Sequence, residues 1–121
     1  LRSGNFPGRA TAQQGGCVFL RADGHGVPEL LDAILQVMPL DAYVETPVML
    51  MERMKCDLDM ELPLWTRYEQ IVVAHDERGA QAFGAYERFE FYRQAQRCFC
   101  IIQTSEQSQY ANIILQKGIV K

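Results

Sequence analysis

No apolar run in this sequence approaches the roughly 20 residues that a membrane-spanning helix needs. No G-x-G-x-x-G or Walker-type loop is present to cradle phosphates, and no G-x-S-x-G elbow to present a nucleophilic serine. Net charge is slight, at −3, which gives no footprint for nucleic acid or for an anionic membrane surface. The four cysteines, Cys17, Cys56, Cys98 and Cys100, form no C-x-x-C pair, and His25 and His75 have no metal-ligand spacing to them. Cys98 and Cys100 flank Phe99 in an apolar stretch and read as small buried hydrophobes. No continuous apolar leader is visible, so reduced thiols and a cytoplasmic location are expected. The first residue is Leu rather than Met, as expected of a fragment or a processed form.

What is present suffices for one domain: 121 residues, 48% hydrophobic. Residues 1–16 are rich in glycine and poor in aromatics, and are expected to form a flexible N-terminal segment. A single domain is expected over 17–121. Cys17 to Leu20 reads as a strand, followed by a turn at Arg21-Ala22-Asp23-Gly24. Pro28 then suits the first turn of a helix, and Leu30, Leu31, Ile34, Leu35 and Met38 recur at helical spacing. Tyr43 to Met51 reads as a second strand interrupted by Pro47, and 52–62 as a charged loop. Pro63 opens a helix whose one face carries Leu64, Tyr68, Ile71, Val72 and His75. Residues 76–84 read as a loop and Ala85 to Arg88 as a short strand. Phe91, Tyr92, Ala95 and Phe99 suggest a helix packed on the sheet, and Cys100 to Gln103 and Ile113 to Val120 close it. Strands alternating with helices predict a layered α/β domain with a largely buried sheet.

Tyr110 and Asn112 break an otherwise aliphatic run near the C-terminus. In an extended segment residues i and i+2 share a side, so a phenol and a carboxamide would project together. They offer hydroxyl and amide donors and acceptors, which suit a small polyhydroxylated ligand. Turn chemistry at Asn112 accounts equally for the pattern. Arg88, at the start of the helix near Phe89, presents five donors in a fixed fork that could hold sugar oxygens. A surface salt bridge to Glu87 or Glu90 is the simpler local reading. His25, between two glycines, reads as a solvent-facing loop residue, His75 as a helix-end residue and Lys117 as a solvated strand residue.

Four segments occur in register: Arg21-Ala22-Asp23-Gly24, Met38 to Glu45, Glu87 to Tyr92, and Tyr110 to Gly118. Together they resemble the D-ribose pyranase / fucose mutarotase family, in its L-fucose branch and among its animal members, across about 17–121. The resemblance implies a three-layer α/β/α domain with a mixed sheet, ribose pyranase-like. It implies interconversion of the α and β anomers of free L-fucose in the cytoplasm, without metal or organic cofactor, by a homo-oligomer, commonly a decamer. It places substrate binding at Arg88, Tyr110, Ala111 and Asn112. The fucose branch usually has Gly where this chain has Ala111, a change of one methyl.

The family's acid/base histidine lies in an N-terminal Gly-His-Gly-Asp segment that these 121 residues do not contain, and its site aspartate falls on Ser3. No catalytic residue is therefore assigned. The chain is expected to be N-terminally incomplete, lacking the family's first helix and strand. Two other readings stay open: a non-catalytic fucose-binding or assembly module, and a structural protein whose site has decayed.

Overall fold

A computed structural model describes residue 1 and residues 18–118. The expected flexible segment, apart from Leu1, lies outside the described residues. In chain order the elements are β1 (Val18–Ala22), α1 (Val27–Val37), β2 (Val48–Met51), α2 (Pro63–Val73), β3 (Phe83–Tyr86), α3 (Arg88–Gln96), β4 (Cys100–Thr104) and β5 (Ile113–Leu115). Short 3-10 turns occupy Lys55–Asp57 and Gly79–Ala82.

The strands form two sheets among the described residues. β1 and β4 pair in parallel, and the second sheet has the order β3-β2-β5, with β2 parallel to β3 and antiparallel to β5. Alternation along β2 and β5 sorts their side chains into two clusters. Val48 and Leu50 of β2 and Ile113 of β5 join Val27, Leu31 and Leu35 of α1 and Tyr68 and Val72 of α2. Met51 and Ile114, one residue out of phase, pack instead with Phe91 and Ala95 of α3. Successive strand residues point to opposite faces, so α1 and α2 cover one face and α3 the other. This is a three-layer α/β/α arrangement on a mixed sheet.

Each helix starts where its local chemistry directs. Val27 N–H at the head of α1 donates to Glu106 Oε1 at 3.1 Å, and a proline occupies its first turn. α2 likewise starts on Pro63. At α3 the Glu87 carboxylate accepts from the N–H groups of Phe89 and Glu90 at 3.0 and 3.2 Å, so Glu87 is a capping residue and Arg88 opens the helix. The expected strand over 85–88 is thereby corrected to Phe83–Tyr86.

Other expectations are also corrected. Residues 43–47 are not strand: Asp41 Oδ1 accepts from Tyr43 N–H at 2.8 Å, and the Arg78 guanidinium takes the carbonyls of Val44 and Asp41 at 2.9 and 3.1 Å. Those carbonyls are consequently committed to a side chain, and pairing begins only after Pro47. Phe99 is 87% exposed because the helix stops at Gln96 and its carbonyl is drawn into the ladder with Val18. Cys98 and Cys100 are half-buried, not buried, because they border an apolar cavity of about 610 Å3 between β4 and β5. Leu1 lies in that cavity wall, exchanging backbone hydrogen bonds of 2.9 Å with Ile113. β5 ends at Leu115, and the chain continues to a single bridge between Leu40 and Lys117.

Two predictions concern the frame around the sheet. A methyl added at Gly118 would lie 2.5 Å from the Leu40 carbonyl oxygen. Gly118→Ala should therefore cost about 1–3 kcal/mol, read as a lower urea midpoint at unchanged slope. Arg78 grips Asp76 with hydrogen bonds of 3.0 and 2.8 Å and holds that carboxyl below its ordinary range. A depressed carboxyl contributes stability at neutral pH that is lost as pH falls through its folded-state value. The destabilisation by Asp76→Asn should then be full at pH 7 and shrink below about pH 4, as denaturation across a pH series will show.

Candidate sugar-binding site

Three chain segments converge at one end of the central sheet. β2 and β3 are parallel, so the loop after Met51 and the start of α3 after Tyr86 leave the same edge. β5 runs the other way, and Ile113 pairs with Leu50, so residues 110–112 enter from that edge too. The carboxyl ends of parallel strands are the usual place for a ligand in open α/β sheets.

Tyr110 sits at the centre. Its φ is 57°, in the left-handed region that a bulky residue seldom occupies. α2 holds it there. Trp65 Nε1 donates to the Tyr110 carbonyl at 2.8 Å, and the buried Tyr68 hydroxyl donates to the Ala111 carbonyl at 2.7 Å. The phenol is fixed at its other end, accepting from Met54 N–H at 3.1 Å and donating to Asp57 Oδ2. Burial and the bond to Asp57 both raise the phenol's pKa, against a smaller lowering by Met54 N–H. Strained backbone persists where its surroundings over-determine it, and such residues cluster at functional sites.

Arg88 comes to the same place from α3. Its Nε donates to the Tyr92 hydroxyl at 3.1 Å, one helical turn on, and its guanidinium lies 5.7 Å from the Tyr92 ring centroid. Its Nη1 reaches Met54 Sδ at 3.6 Å, on the residue whose N–H holds Tyr110. The expected salt bridge to Glu87 or Glu90 does not form: Glu87 caps the helix and Glu90 pairs with Arg93. The bond to Tyr92 raises the Arg88 pKa further, so the site carries a fixed positive charge.

Of the four residues expected from sequence, Arg88 and Tyr110 are thus brought together around Met54. Ala111 is fully buried, with its carbonyl engaged by Tyr68. Asn112 is half-buried and follows directly. The extended geometry expected for 110–112 is corrected, because Tyr110 is left-handed and lies in a turn. Asp57, Trp65, Tyr68 and Tyr92 were not singled out as site residues. Only Tyr92 had a readable signal, its i+4 spacing from Arg88 on a helix. Both histidines are engaged elsewhere: His25 Nδ1 lies 2.9 Å from Glu29, and His75 Nε2 lies 2.7 Å from Asp32. His75 also falls beyond the end of α2. Among the described residues no group of three or more His, Cys, Asp or Glu could hold a metal ion.

Residues 3–120 match the model of the RbsD / FucU transport protein family. Human fucose mutarotase is 41% identical over 118 residues, covering 96% of this chain and 75% of that protein. The crystal structure of FucU from Bifidobacterium longum superposes with a TM-score of 0.94 at 46% identity, covering 100% of this chain and 82% of that one. Fucose mutarotase from Streptococcus pneumoniae, solved in complex with L-fucose, gives a TM-score of 0.88 at 34% identity, covering 99% and 81%. Family model, sequence relatives and fold agree: the chain belongs to the RbsD / FucU family.

Proposed function

We propose that this protein is a sugar mutarotase that interconverts the α and β anomers of free L-fucose. The observation that carries this reading is the convergence of Arg88 and the left-handed Tyr110 at one sheet edge, joined through Met54. It is supported by the similarity to fucose mutarotases and to a structure holding L-fucose.

A free hexose supplies hydroxyls that both donate and accept, plus a ring oxygen that only accepts. Arg88 is a permanent donor, suited to the ring oxygen or to hydroxyl lone pairs. The Asn112 carboxamide can both donate and accept, which suits it to a sugar hydroxyl. Tyr110 completes the grip from the turn. Anomer exchange opens the ring by moving a proton off the anomeric hydroxyl and delivering one to the ring oxygen. A cationic guanidinium at the ring oxygen favours its taking up negative charge in the transition state.

The finer features belong to the same proposal. The enzyme acts as a homo-oligomer, with the family's decamer as the expected form. Tyr43, Val37, Phe89 and Phe99 are large apolar side chains left in solvent, the kind of surface that assembly covers. The location proposed is the cytoplasm. No helix among the described residues is long and apolar enough to cross a membrane.

Exchange NMR on L-fucose tests the activity. With protein that carries the family's N-terminal histidine segment present, transfer between the two anomeric resonances should exceed that in buffer, and the 121 residues alone should accelerate it much less. Asn112→Ala should reduce the acceleration about tenfold, the effect of losing hydrogen bonds to a bound hydroxyl. Calorimetric binding of fucose without any acceleration would overturn the mutarotase reading. Light scattering should give a mass several times that of the 13.8 kDa chain, and a monomer would overturn the assembly.

A further inference from the structure

We propose that Asp57 is a positioning residue for the sugar site, accepting the hydrogen bond of the Tyr110 hydroxyl so that the phenolic oxygen faces the sugar as an acceptor. The inference rests on the fucose reading and adds to it a residue and a direction for one hydrogen bond.

The geometry around the phenol leaves little choice of direction. A phenolic oxygen has one proton and lone pairs to accept with. Here the O–H donates to Asp57 Oδ2, and Met54 N–H donates to the oxygen at 3.1 Å. What remains for a ligand is acceptor capacity alone, so a sugar group meeting Tyr110 must donate. A bound hydroxyl then points its hydrogen at Tyr110, and its own lone pairs are left for the donors of Arg88. Asp57 sets this polarity through the phenol without needing to touch the sugar.

Asp57 is also poorly explained by structure alone. It closes the 3-10 turn Lys55–Asp57, whose backbone bond runs from Asp57 N–H to the Met54 carbonyl and does not use the side chain. Among the described residues its carboxylate enters no salt bridge, and its one hydrogen bond is to Tyr110. A half-buried carboxylate held only by a phenol is suited to orienting that phenol. The same contact disfavours the phenolate, because an ionised Tyr110 would face the Asp57 charge. The other ionisable groups that sense Tyr110 are Cys56 on the same loop and Arg88 on α3.

Two readouts test this. The first is a double-mutant cycle in fucose exchange NMR with Asp57→Asn and Tyr110→Phe. Asp57→Asn should lower the acceleration about tenfold, as for loss of a charge-assisted hydrogen bond, and should have no further effect in the Tyr110→Phe background. An unchanged rate, or the same loss in both backgrounds, overturns the proposal. The second readout contains no sugar chemistry. The tyrosinate absorbance near 295 nm is titrated, and Tyr110 is isolated by subtracting Tyr110→Phe. Its midpoint should move to lower pH in Asp57→Asn and in Asp57→Ala, and an unmoved midpoint overturns the proposal. If the unmutated protein accelerates nothing, the fucose reading fails, and the titration alone then decides whether Asp57 governs the phenol.

Discussion

Two donors on one helix connect the core to the surface proposed to bind the sugar. Trp65 and Tyr68 stand three residues apart on α2 and therefore share a face. They donate to the successive carbonyls of Tyr110 and Ala111. Tyr68 is fully buried in the cluster formed by α1, α2 and the central sheet. Its hydroxyl needs a partner there, since an unpaired buried hydroxyl is costly. The carbonyl of Ala111 supplies it, so the packing of the core and the path of the 110–112 segment satisfy each other. The left-handed turn at Tyr110 is thus held by the buried cluster around Tyr68.

The rest of the site is built out from that turn. β2 and β3 deliver the loop of Met54 and the head of α3 to one edge, and the cap at Glu87 fixes where α3 starts. One turn of helix later Tyr92 meets Arg88 and directs its guanidinium. Met54 joins the two halves, with its N–H on Tyr110 and its sulfur near Arg88. The site therefore depends on backbone and side-chain atoms of several segments, and Arg88 brings to it a full charge whose sign suits the oxygens of a neutral sugar.

Much of the architecture was legible in the sequence because it rests on local periodicity. Of the residues expected at helical spacing on α1, Leu31 and Leu35 are buried, and the strand expected to end at Met51 buries Val48 and Leu50. Pro28 and Pro63 mark helix starts for the local reason that a first-turn proline loses no hydrogen bond. What was not legible depended on distant partners. Residues 43–47 have strand-like composition, but Arg78, 34 positions on from Val44, takes the Val44 carbonyl. The positive φ of Tyr110 follows from Trp65 and Asp57, both more than 40 positions away. Asp57 looked like one more charge in a charged loop, because nothing near it in sequence betrays its partner.

The central claim is that residues 88 and 110–112 form one sugar-binding surface held from α2. It is tested most directly by mapping amide chemical shifts in two-dimensional NMR while free L-fucose is added. The account predicts saturable shifts concentrated at Arg88, Tyr110, Ala111 and Asn112 and in the Met54–Asp57 turn. Shifts confined to another part of the domain, or none at millimolar fucose, would contradict it.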